Sequence, residues 1–115
     1  MAISNYETDN VAVIVLSGKF LDDDKVDGLR DCVQKLIDQD QTRIVCDLAE
    51  VEMMSSSCIG ALVAGLKALR EVDGDLKLAR MPEKYAYPFY PYPPMKPIFH
   101  LYEDLDEAVS SFEQE

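Results

Sequence analysis

The sequence predicts an α/β domain: a mixed, largely parallel β-sheet of four to five strands with helices packed mainly on one face. Three short apolar runs carry the sheet: Val11 to Leu16, Arg43 to Leu48 and Leu76 to Ala79. Each is too short for a helix and rich in β-branched or aliphatic residues, as strands covered on at least one face are. Between them lie two segments whose apolar residues recur at spacings of three and four, the helical period. Strand, helix, strand, helix, strand with short links is the pattern of βαβ crossovers, which build parallel sheets. At 115 residues the chain reads as a single domain, 1–115, with enough length to bury a core unaided.

A weaker strand over Ile3 to Thr8 is placed to pair with Val11–Leu16 through an Asp9-Asn10 turn. After Gly18-Lys19-Phe20, the run Asp22-Asp23-Asp24 suits the positive end of a helix. Val26, Leu29, Val33, Leu36 and Ile37 then form one apolar stripe on a helix ending near Gln39. The strand at Arg43–Leu48 is expected to give way to a loop, Ala49 to Met54, leading to Ser55-Ser56-Ser57. Ile59, Leu62, Val63, Leu66 and Leu69 mark the next helix, with Ala61, Ala64 and Gly65 allowing close packing and Asp73-Gly74 ending it. Ile98-Phe99-His100-Leu101 reads as an edge strand, and Glu103-Asp104 opens a last helix with Leu105, Ala108, Val109 and Phe112 facing inward.

One segment breaks this regularity. Residues 82–97 hold all six prolines and four of the six tyrosines, Tyr85, Tyr87, Tyr90 and Tyr92. A helix cannot run through Pro88 to Pro97, because each proline removes a donor and clashes with the preceding turn. An irregular or polyproline-II crossover is expected, either exposed as a ligand or lying over apolar surface as cover.

Asp plus Glu number 22 against 11 for Lys plus Arg, a net charge of -11. That balance argues against nucleic acid, whose phosphates demand a basic surface, and suits a partner with a basic face. Cys32, Cys46 and Cys58 have no metal-ligand spacing and read as reduced thiols of a cytoplasmic protein. The start of the chain lacks the basic and apolar regions of a signal peptide, and no apolar stretch is long enough for membrane insertion.

The serines sit where a strand gives way to a helix. Serine is a favoured N-cap, because its oxygen accepts from the free amides of the first turn. The same amides and the positive dipole end also stabilise a phosphate. As a nucleophile, a serine or Cys58 would need a base, and His100 is the sole histidine, with no GxSxG elbow present. The residues point to no enzyme and no cofactor.

The run Arg43 to Val51, then Met54-Ser55-Ser56-Ser57-Cys58-Ile59-Gly60-Ala61-Leu62, resembles the signature of the STAS domain of anti-sigma factor antagonists. That signature is a strand ending Asp-Leu, a short loop, then Asp-Ser-Ser-Gly-Leu-Gly. Phe99 to Val109 is similar to the family's last strand and helix, and the order of elements matches from Val11 to Phe112. The resemblance implies a protein-binding phosphoswitch in transcription regulation. The unphosphorylated form would bind an anti-sigma factor serine kinase, phosphorylation would release it, and a PP2C-type phosphatase would reset the switch. Aligned on Ile59-Gly60, the phosphoacceptor falls on Ser56, with Ser57 as second choice. Ser55 takes the place of the motif aspartate and Cys58 that of a glycine. Ser55, Ser56, Ser57, Cys58 and Ile59 would form the partner-binding surface. The alternative is a non-phosphorylated STAS-type module for assembly or ligand binding in a signalling or transport complex. A homodimer is left open.

Overall fold

A computed structural model describes residues 2–20, 23–82 and 99–114. Within them five strands form one sheet in the order β1-β2-β3-β4-β5: β1 (Ala2–Thr8), β2 (Val11–Phe20), β3 (Arg43–Met54), β4 (Asp75–Ala79) and β5 (Leu101–Tyr102). β1 runs antiparallel to β2, and every other neighbouring pair is parallel. The hairpin is closed by Asp9 and Asn10, both at positive φ (51° and 64°). Two left-handed residues in a two-residue loop make the turn whose twist matches the flanking strands.

Helices α1 (Asp23–Asp38) and α2 (Ser56–Arg70) pack together on one face of the sheet. Val26, Leu29, Val33 and Leu36 of α1 meet Ile59, Leu62, Leu66 and Leu69 of α2 over Ile14, Leu16, Ile44, Cys46 and Leu48. Ile37 and Val63 are half-buried at the rim of this core, and Ala64 points to solvent. A short helix, α3 (Leu105–Ser111), continued by a 3₁₀ turn (Phe112–Gln114), covers the other face. There Ala108, Val109 and Phe112 close a smaller core over Val11, Val13, Val45 and Ala79.

Both long helices end in a left-handed aspartate. Asp40 (φ 61°) lets Gln41 N–H reach Leu36 O at 2.8 Å, and Asp73 (φ 61°) lets Gly74 N–H reach Leu69 O at 2.7 Å. These are Schellman ends, with aspartate where glycine is commoner. Gly74 is needed for a different reason: a Cβ there would sit 2.3 Å from Thr42 O, so only glycine lets the chain enter β4 beside β3.

β3 departs from the sequence expectation. Ala49 to Met54 is not a loop but the second half of the strand. The β2–β3 register slips by one residue between Val15 and Ser17 and again between Gly18 and Lys19, so β3 carries two bulges. Each bulge replaces the period of two by a step of three. Leu48, Val51 and Met54 therefore all reach the α1/α2 core. Gly18, at φ 89°, lies at the second slip, in a conformation that glycine adopts without strain. The sequence expectation at Ile98–Leu101 is also shifted: β5 begins at Leu101, and Ile98 lies outside the described residues. So do all but Pro82 of the prolines and Tyr85, Tyr87, Tyr90 and Tyr92. No helix of the described residues is long and apolar enough to cross a membrane.

Candidate functional site

The bulged end of β3 delivers the chain straight into α2. Met54 closes the strand, facing the core, and the next residue, Ser55, is the N-cap at φ -80° and ψ 166°. Its Oγ accepts from Cys58 N–H at 3.2 Å, and its carbonyl accepts from Ile59 N–H at 3.1 Å. Ser55 is half-buried and spent on holding the helix start. Ser56 and Ser57 are the first two helical residues, and both are exposed.

Cys58 and Ile59, the other two residues of the expected docking surface, point inward and belong to the α1/α2 core. They set the position of the serines from beneath. Burial pushes the Cys58 thiol up to about 11, the reverse of the lowering that a free helix N-terminus would give a reactive thiol. Cys58 also takes the glycine position without backbone strain, since it is an ordinary helical residue. Cys46, deep in the same core, is raised still further by burial, and half-buried Cys32 is raised as well.

The first turn of α2 carries no acidic side chain, whereas its last turn carries Lys67 and Arg70. Both ends therefore complement the helix dipole or leave it open. In α3 the N-terminus is already occupied, by Asp104 as cap with Asp106 and Glu107 in the first turn. In a chain of net charge -11, the start of α2 is a helix end where an added anion meets no carboxylate of its own turn.

Several residues outside the serine motif are not flagged by the motif itself. Met53 lies two residues before the cap with its side chain 41% exposed, next to exposed Glu52 and level with Lys19 in the β2–β3 register. The carboxylate of Asp47 is buried in mid-β3. Its Oδ1 accepts from Ala49 N–H at 3.2 Å, beside the first bulge, and from Arg80 Nε at 3.0 Å, while Oδ2 accepts from Arg80 Nη2. Arg80 holds this grip from a left-handed backbone, φ 56°. On the α3 face the ammonium of buried Lys77 donates to Ser111 Oγ at 2.8 Å and lies 4.0 Å from the centre of the Phe112 ring. A lone charge between apolar neighbours in a covered strand is the signal that could have flagged Asp47 and Lys77. His100 is exposed ahead of β5 and is tied to β4 through its carbonyl, which accepts from Leu78 N–H at 3.1 Å.

Against known proteins, the family described as "Mlab, STAS domain" matches residues 3–107. No curated protein matches the chain significantly in sequence. Among solved structures, the chain is similar to the anti-sigma factor antagonist SpoIIAA in its unphosphorylated form. The identity is 24% and the TM-score 0.71, over 97% of this chain and 98% of that one. It is also similar to the Bacillus cell fate determinant SpoIIAA in the phosphorylated form (22% identity, TM-score 0.73, 96% and 99% covered). An anti-sigma factor antagonist from Mycobacterium paratuberculosis matches at 21% identity and TM-score 0.73, over 97% and 93%. At these identities the likeness is one of fold.

Proposed function

The chain belongs to the STAS domain family, and on that premise we propose that it is a cytoplasmic anti-sigma factor antagonist switched by phosphorylation of Ser56. The observation that carries this is the division of labour among the serines. Ser55 is committed to capping α2, while Ser56 stands exposed in a first turn free of acidic groups. A phosphate there would bring roughly -1.5 to -2 charges to a helix end that tolerates an anion. It would change the docking surface and leave the fold alone.

In this reading the unphosphorylated chain is a binding module, not an enzyme. It occupies an anti-sigma factor serine kinase and so frees the sigma factor. In the kinase's active site the Ser56 hydroxyl faces the nucleotide's phosphates, so a phosphoserine is driven off by like-charge repulsion. A PP2C-type phosphatase restores the hydroxyl. The solved structures named above, one of them in a phosphorylated form, support the reading by their fold.

The test is to incubate the chain with ATP and each anti-sigma factor serine kinase encoded in the same genome, then map phosphate by mass spectrometry. Phosphate on Ser56, lost in Ser56→Ala, is the expected result. If Ser56 stays unmodified and Ser56→Asp leaves kinase affinity intact, the phosphoswitch is wrong. The chain would then be a non-phosphorylated STAS module for assembly or ligand binding.

A further inference from the structure

Two features beside Ser56 have no packing reason among the described residues. Among the described residues three large apolar side chains are exposed, Tyr6, Met53 and Val72, and Met53 is the one at the serine cluster. The second bulge of β3 turns Met54 into the core and leaves its neighbour Met53 outward, 41% exposed. Gly60 is the second feature. It lies inside α2, four residues from Ser56 and three from Ser57, hence on the same face of the helix. Glycine is the least favourable residue in a helix interior after proline. A glycine that packs earns its place, as Gly65 does, where a Cβ would already be 3.4 Å from Leu76. Among the described residues, a Cβ on Gly60 would meet nothing within 4 Å.

We infer that Met53 and Gly60 are the contact residues on either side of Ser56: Met53 enters an apolar pocket of the anti-sigma partner, and Gly60 lets the partner's backbone approach α2. This rests on the function proposed above and specifies the surface that the kinase must present. Glu50 and Glu52, both exposed, lie close to Met53 in sequence, on a chain of net charge -11, so the pocket carries a basic rim. The same charges disfavour a second copy of this chain, because a two-fold interface would bring each patch against its own like charges.

The experiment titrates the full chain with the anti-sigma factor serine kinases of the same genome, in wild type, Ser56→Asp, Met53→Ser and Gly60→Leu, alongside thermal melts and sedimentation. Met53→Ser and Gly60→Leu should each weaken kinase binding about tenfold or more, as loss of a buried contact does. Gly60→Ala should raise the melting temperature of the free chain by about 4 °C, since the helix gains and nothing clashes. Affinity that drops with added salt supports the basic rim.

If wild type binds and Ser56→Asp does not, yet Met53→Ser and Gly60→Leu bind as wild type does, the contact assignment is overturned and the phosphoswitch stands. A fall in the melting temperature of Gly60→Ala would show an internal role for Gly60 and remove its part in the interface. If Met53→Ser instead converts a dimer of the free chain to monomer, Met53 belongs to a self-interface and the inference fails. A chain that binds none of these kinases sinks the proposed function and this surface with it.

Discussion

Removing Arg80 tests whether the bulged half of β3 is held as described. The Asp47 carboxylate is only 6% exposed, and it accepts from Ala49 N–H and from two atoms of Arg80. Arg80→Ala leaves that charge with one backbone donor. Breaking a fully buried pair costs about 3–5 kcal/mol, because an uncompensated charge remains. Arg80, however, is 44% exposed, so water replaces part of what it supplied, and about 2 kcal/mol is the fitting figure. Its backbone lies at φ 56°, which Ala tolerates no better than Arg. Arg80→Gly should therefore lose about 1 kcal/mol less than Arg80→Ala, the difference being relieved backbone strain. Asp47→Asn on the Arg80→Ala background removes the stranded charge and should recover about half of the loss. Urea unfolding at constant m-value reads all three. An Arg80→Ala chain within about 0.5 kcal/mol of wild type, the usual range for surface changes, would refute the account of Asp47 as a buried charge held in place by Arg80.

Ser55→Ala should cost about 1 kcal/mol of stability, since the Cys58 amide loses its acceptor, while Ser56→Ala should be nearly silent in the same melt. Equal effects would mean that the cap is misassigned. Ser55→Asp, which restores the residue of the family motif, should keep the cap and match wild type in stability, again by thermal melting. Gly74→Ala should cost about 1–3 kcal/mol, because its Cβ meets Thr42 O at 2.3 Å and the β3–β4 start must shift. The buried Cys58 thiol, with pKa raised from 9.0 to about 11, keeps its proton in the folded chain over a range where the unfolded chain loses it. Stability from this source is whole below pH 9 and falls as pH rises toward 11, and Cys58→Ala should flatten that slope in denaturant titrations.

The βαβ frame was legible because each element kept its own period. Val26, Leu29, Val33 and Leu36 are buried along α1 as the three-and-four spacing requires, and Asp9-Asn10 makes the hairpin turn its residue types favour. The second half of β3 was not legible, for a physical reason. With two bulges, Leu48, Val51 and Met54 face one side at spacings of three, which no strand template contains. Ala49, Glu50 and Glu52, polar or small and exposed, then look like loop. The serine cluster was visible through its N-cap chemistry, but a motif does not say which way its members point. Helix geometry turns Cys58 and Ile59 inward once Ser55 is the cap, leaving Ser56 and Ser57 outside. Met53 was hidden by the same bulges, since its outward direction depends on a register that only β2 defines.

The bulges and the serines are parts of one arrangement. A strand that kept a strict period of two through Met54 could not bury Leu48, Val51 and Met54 together on the α1/α2 face. The two extra residues keep β3 on the core up to the residue before the cap, so no loop intervenes between strand and helix. Ser55 is then fixed from both sides, by the buried Met54 before it and by the buried Cys58 whose amide it holds. Ser56 is exposed directly after a residue held in this way, a placement that suits a surface read by a rigid partner. A phosphate on it would alter the charge at a fixed point without touching the core bonds that hold that point. The proposed switch, built in this way, would change affinity and leave stability where it was, so that it could be thrown repeatedly without unfolding the chain.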